Sequence, residues 1–119
     1  MNLIIHRGTH EIGGTCVELS TENTRILIDI GLPLVDEEGQ SFKLGNYLDL
    51  NKAELLEKNI AKDIPGLYKE DIDIKPPDAI LISHSHPDHY GLIPFVKPQI
   101  PLYLSEGCLE LIKATYYFR

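Results

Sequence analysis

The chain changes rhythm several times, and each change in the spacing of apolar and polar positions predicts a change of structure. Leu3-Ile4-Ile5 is a continuous apolar run and predicts a first strand over residues 2–6. A turn follows over 7–14, where Gly8, Gly13 and Gly14 permit tight backbone geometry. Period two then takes over, with Cys16, Glu18 and Ser20 alternating against Val17 and Leu19 in a second strand. Thr21-Glu22-Asn23-Thr24 predicts a hairpin loop, and Arg25 to Ile30 the returning third strand. The chain therefore opens as an antiparallel meander with Asp29 near the end of its last strand.

Beyond Gly31 the rhythm is lost in a polar stretch running through Gly39 and Gly45. Asn51-Lys52-Ala53-Glu54 has the pattern of a capping box and predicts a helix start. Leu55, Leu56 and Ile60 give that helix one apolar face, Glu54 stands one turn from Lys58, and Pro65-Gly66 ends it. Residues 36–77 as a whole carry no sustained period and are expected to be an insertion or connection, a lid or partner surface that names no ligand. Ala79-Ile80-Leu81-Ile82 then predicts a short buried strand. Gly91 to Val96 predicts a short helix, Pro101 to Leu104 a strand, and Ser105 the cap of a last helix. Cys108, Leu109, Leu111, Ile112 and Tyr116 form a broad apolar stripe on that helix, which with Tyr117 and Phe118 is expected to be core or interface.

Composition adds bounds. In 119 residues, 43% of them apolar, there is material for one domain with a core. No run approaches the ~18 apolar residues of a membrane span, and the opening apolar run is too short for a signal peptide, so a cytoplasmic protein without membrane partners is expected. Cys16 and Cys108 read as separate thiols rather than a disulfide. The net charge of −7 leaves no obvious basic face for nucleic acid. Asp36-Glu37-Glu38 and Glu70-Asp71-Ile72-Asp73 read as solvated acidic loops.

The chemistry concentrates between Ser83 and Gly91, in Ser-His-Ser-His-Pro-Asp-His-Tyr-Gly. His84, His86, Asp88 and His89 place three imidazoles and a carboxylate within six positions, a donor set suited to zinc. Four potential ligands directly after a buried strand argue against a polar loop whose histidines merely cap a helix. Leaving the strand in an irregular turn, the chain can offer two donors to each of two neighbouring ions, with Pro87 stiffening the turn and Gly91 releasing it. His6 and His10 read as ordinary imidazoles, with a substrate contact as the alternative for His10.

This stretch resembles the signature of the metallo-β-lactamase superfamily. Gly13-Gly14-Thr15-Cys16-Val17-Glu18-Leu19 and Arg25-Ile26-Leu27-Ile28-Asp29-Ile30-Gly31 are similar to its early strands, and His10-Glu11-Ile12-Gly13-Gly14 resembles the RNA-processing, ribonuclease J-like branch. The resemblance implies an α+β fold, one half of an αββα sandwich, with a largely antiparallel sheet and helices on one side. It implies that His84 and His86 bind one metal, that Asp88 and His89 bind a second, and that Asp29 supports the loop from outside the ligand set. Asp88 would also serve catalysis by orienting a metal-bound hydroxide. Zinc is the expected cofactor, one or two ions, with manganese or iron as other occupants, and RNA or DNA phosphodiesters are the expected substrates. Thioester or other small-molecule hydrolysis, or a non-catalytic binding module, are the alternatives.

After His89 there is no histidine or aspartate, only Glu106 and Glu110. The later ligands of the family are thus missing, and residues 1–119 are expected to form a single partial domain, inactive alone. A second copy covering the exposed sheet, or another polypeptide completing the site, would restore it.

Overall fold

The computed structural model describes residues 1–117, with side chains described through Thr115. Among the described residues seven strands form: β1 (Asn2–Arg7), β2 (Ile12–Gly13), β3 (Cys16–Ser20), β4 (Arg25–Ile28), β5 (Pro33–Val35), β6 (Ala79–Leu81) and β7 (Leu102–Tyr103). Three α-helices accompany them, α1 (Lys52–Glu57), α2 (Pro87–Tyr90) and α3 (Glu106–Tyr117), with short 3-10 turns at Tyr47–Asp49 and Ile93–Phe95. The main sheet runs β1-β3-β4-β6-β7, and β2 pairs with β5 in a small separate ribbon. Pairing is antiparallel from β1 to β4 and parallel from β4 to β7, an α+β arrangement. No described helix is long and apolar enough to cross a membrane.

The alternation seen in the sequence sorts the sheet into two unlike faces. On the inner face Glu18, Leu27, Ile80 and Leu102 stand in one cross-strand row, and Leu27 and Ile80 are completely buried. On the outer face Ile5, Val17, Ile28, Leu81 and Tyr103 form a row across all five strands. Ile5, Leu81 and Tyr103 are exposed, and so is Leu3 on the same face. Glu18 is the one acid of the inner row. His6 Nε2 lies 3.1 Å and Arg25 Nη2 3.2 Å from its Oε1. Burial by itself would raise the Glu18 carboxyl, but these two partners hold it below the usual carboxylate range.

Residues 36–77, aperiodic in sequence, supply much of the core: Leu55, Ile60, Ala61, Ile64, Leu67 and Tyr68 are all buried. Asn51 caps α1 as its pattern predicts, its side chain accepting from Glu54 N–H while the Glu54 carboxylate accepts from Asn51 N–H. The helix stops well before Pro65, however. Asn59 adopts φ 57°, its N–H donates to Leu56 O, and Ile60 N–H donates to Leu55 O, a Schellman closure that folds Ile60 back beside Leu55. The second acidic run is also not wholly solvated. Asp71 is buried and accepts from Lys52 Nζ and from the backbone N–H groups of Gly66 and Tyr68. Tyr68 bridges to Val96, Lys69 N–H donates to Phe95 O and Lys97 N–H to Leu67 O, fastening this segment to the chain that follows α2.

The last helix is capped by Ser105 Oγ, which accepts from Cys108 N–H at 3.0 Å. Its predicted apolar stripe divides: Ile112 is buried, Cys108 half-buried, and Leu109 and Leu111 face solvent. The side chains of Tyr116 and Tyr117, and Phe118 itself, lie outside the described residues. Both cysteines are free thiols.

Candidate metal centre

The site is built at the ends of two adjacent parallel strands, β4 and β6. β4 closes at Ile28, one residue before the position predicted to lie within it, and Asp29 takes φ 65°. Its N–H still donates to Leu81 O, so the left-handed turn is tied to the neighbouring strand. Aspartate tolerates this region better than most residues, and here it re-aims the side chain across the strand ends. The buried Asp29 carboxylate then accepts from both the backbone N–H and the hydroxyl of Ser83, the N–H at 2.7 Å. Its Oδ2 also stands 2.8 Å from His89 Nδ1. Because an ionised carboxylate can only accept, His89 Nδ1 carries the proton, and in the neutral ring the lone pair is left on Nε2.

His84 and His86 come directly off β6. His84 Nε2 and His86 Nδ1 approach to 2.9 Å, with ring centroids 4.2 Å apart. Pro87 begins α2 at its N1 position, where a missing N–H costs nothing. The single turn of α2 swings Asp88 and His89 back, so that Asp88 Oδ2 lies 3.4 Å from His89 Nε2. His84 and His89 are themselves ring neighbours at 5.2 Å. The four donors predicted from sequence are therefore together, as two pairs side by side. Among the described residues no group of three or more His, Cys, Asp and Glu side chains converges to hold an ion. Two donors on a tetrahedral zinc at about 2.0–2.1 Å stand about 3.3 Å apart, so the Asp88–His89 separation fits a shared divalent cation. The His84–His86 pair, hydrogen-bonded to each other, would fit one on giving up that proton and opening by about a few tenths of an ångström.

Backbone contacts hold α2 down. Ile30 N–H donates to His89 O at 2.9 Å, Leu32 N–H to Pro87 O at 3.0 Å, and Leu92 N–H to Ile30 O at 3.0 Å. Gly91 is helical in conformation, φ −62°, so the freedom expected of it is not used; a Cβ there would meet the Leu32 side chain at 2.4 Å. Behind this layer Cys16 faces a small cavity of about 10 Å³. Burial first, then the charges of Glu18 and Asp29, push its thiol up to about 12. Cys16 is thus an inert wall of the site.

His6 is engaged with Glu18 on the sheet, and His10 is exposed on the glycine turn. Sequence reasoning missed Ser83 as a partner of Asp29 and Gly31 as the residue beneath α2. Both depend on contacts between distant segments, 54 residues apart for Asp29 and Ser83 and from position 31 to position 88 for Gly31 and Asp88.

The family model of the Metallo-beta-lactamase superfamily matches residues 11–102. An "RNase J-like protein" of Methanocaldococcus jannaschii is 30% identical over 114 residues, covering 96% of this chain and 20% of the relative. The "Transcription termination factor FttA" of Lokiarchaeum sp. is 29% identical over 89 residues, 75% of this chain and 10% of the relative. A crystal structure of a protein of unknown function from Enterococcus faecalis V583 superposes with a TM-score of 0.74 at 22% identity, over 98% of this chain and 28% of that one. The chain thus spans about a fifth or less of the curated relatives it matches. With the matched model covering most of its length and the likeness running to the ribonuclease J-like branch, this chain belongs to the metallo-beta-lactamase superfamily.

Proposed function

We propose that this chain carries the metal-binding loop of a metal-dependent phosphodiesterase acting on RNA or DNA, and that it forms only part of the working site. The observation that carries the proposal is the paired donor geometry, 2.9 Å within His84–His86 and 3.4 Å within Asp88–His89, with His89 oriented by Asp29. The nucleic-acid substrate class is supported by the relatives, among them the RNase J-like protein and a "Probable RNase MJ4". Divalent ions, zinc first and manganese or iron as alternatives, would supply Lewis acidity and a water of lowered pKa.

The chain's own residues would do the following. Asp29 holds the His89 ring and its tautomer, so that Nε2 faces Asp88. His84 and His86 present two imidazole lone pairs to one ion, and Asp88 and His89 a carboxylate and an imidazole to the next. Asp88, half-buried beside the open donors, accepts a hydrogen bond from the attacking water and so orients it. Two donors per ion leave each ion short of a tetrahedral set, so the isolated chain should bind metal loosely and hydrolyse nothing.

Zinc titration of chain labelled with 15N-histidine tests this. The ring signals of His84, His86 and His89 should shift while those of His6 and His10 stay, and His86→Ala should abolish the shift at His84. Shifts confined to His6 and His10, or none at millimolar zinc, would overturn the metal reading. For the substrate class, the chain joined to the remaining segment of the RNase J-like relative should cleave single-stranded RNA, and Asp88→Asn should reduce the rate about 100-fold or more. Cleavage of thioesters but not RNA would favour the small-molecule alternative.

A further inference from the structure

We infer that Gly31 is a positioning residue for the proposed site, fixing the Asp88–His89 pair relative to the His84–His86 pair by letting the backbone of α2 rest on its Cα; the inference rests on the two-pair reading above. A Cβ added to Gly31 would stand 1.6 Å from Asp88 O, 2.3 Å from Asp88 C and 3.0 Å from His89 N. All three are backbone atoms. They belong to a turn closed by its own bonds, His89 N–H to His86 O and Gly91 N–H to Pro87 O, so no side-chain rotation relieves the overlap. The glycine is required for space and not for its dihedral angles, since Gly31 does not lie in the left-handed region.

The platform is rigid on its far side. Gly31 N–H donates to Thr15 O at 3.1 Å, and the flanking N–H groups of Ile30 and Leu32 donate to His89 O and Pro87 O. A methyl at Gly31 therefore has to lift α2 away from the 30–32 segment and break both of those bonds. His84 precedes the turn and His86 is its N-cap, and this end of the loop hangs from anchors of its own. Ile82 N–H donates to Tyr103 O, and Ser83 donates twice to Asp29. The displacement is consequently unequal: it carries off Asp88 and His89 and leaves the first pair behind.

Gly31→Ala in the 15N-histidine-labelled chain tests this without activity or metal. In folded Gly31→Ala the proton on His89 Nδ1, hydrogen-bonded to Asp29 in the parent, should lose its protected signal while the His84 and His86 rings keep theirs. Leu55→Ala, a core truncation in α1, serves as a destabilised control and should leave all three rings in place. A zinc titration should then show at least a tenfold loss of affinity at Asp88–His89 against little change at His84–His86. An unchanged His89 ring in folded Gly31→Ala, or all three rings moving together in both variants, would overturn the inference. Should Gly31→Ala not fold, the parent chain decides: scalar couplings across the Ile30 N–H···O=C His89 and Leu32 N–H···O=C Pro87 hydrogen bonds should be observed, and their absence overturns it. Failure of the parent to bind zinc would instead sink the two-pair reading, and the apo ring positions separate the two results.

Discussion

Asp29 occupies a backbone region that L-residues avoid and places one carboxylate where three donors meet, so its substitutions should separate conformation from charge. Asparagine tolerates φ 65° and keeps one carbonyl acceptor, so Asp29→Asn should cost about 1–2 kcal/mol; alanine keeps neither advantage and should cost about 3–4 kcal/mol. Urea unfolding of the two variants checks the order, and equal losses would show that the carboxylate's charge, which both variants remove, outweighs the backbone angle. The thiols offer a second test. With its pKa pushed up to about 12 and its side chain buried, Cys16 should be inert to a thiol reagent at pH 8, whereas half-buried Cys108 should react. One thiol titrating in the native chain and two in denaturant is the expected count. At this scale the donors were legible because His84, His86, Asp88 and His89 lie in one short run. Asp29's angle and Gly31's crowding were not, because each is made by a segment that sequence proximity does not reveal.

Among the elements, the segment from Asn51 to Asp71 shows where local pattern suffices and where it fails. The Asn51–Glu54 box announced the start of α1 because both halves of a capping box lie within four residues. The stop at Asn59 left no comparable mark, since apolar spacing through Ile60 continues the helical period past the point where the Schellman turn folds Ile60 inward. Asp71 looked solvated for a similar reason: Lys52 lies 19 residues away. Burial alone would raise the Asp71 carboxyl, yet the Lys52 hydrogen bond and the backbone N–H groups of Tyr68 and Gly66 hold it below its ordinary value. The Lys52 ammonium is raised in turn, first by its hydrogen bond to Asp71. A depressed carboxylate contributes stability that is present above its unfolded pKa of about 3.9 and lost as pH falls through the folded value. A raised ammonium contributes below about pH 10.4 and loses that contribution as pH rises through its folded value. The segment should therefore hold from about pH 4 to about pH 10. It should open only below about pH 4, which amide exchange of residues 52–71 against pH would follow. Asp71→Asn should cost about 2–3 kcal/mol at pH 7 and flatten the acid limb, because Lys52 is left with the far more exposed Asp63.

The whole molecule has one covered sheet face and one open one. On the inner face the register brings Leu27 and Ile80 against the core built from residues 55–68, and they are dry. On the outer face the same register aligns Ile5, Val17, Ile28, Leu81 and Tyr103, with Leu3 alongside; Val17 and Ile28 are half-buried and the other four are exposed. Period-two alternation announced two faces but not that both would be apolar, because Val, Leu and Ile on one side of a strand are also what a sandwich interior requires. An apolar patch five strands wide is larger than soluble monomers ordinarily leave in water, and burying it gains roughly 25 cal/mol per Å². The 119-residue chain alone should accordingly self-associate at tens of micromolar, and Ile5→Lys, which places an ammonium at the β1 end of the row, should shift it toward monomer by about tenfold or more in dissociation constant. Sedimentation velocity across a concentration series reads this directly. The substitution should barely alter stability, since Ile5 is already 50% exposed and touches the core only through the sheet. If association instead survives Ile5→Lys and Tyr103→Lys together, the contact runs through another surface, such as the exposed Leu109 and Leu111 of α3, and the open sheet face is held in water at the cost of stability.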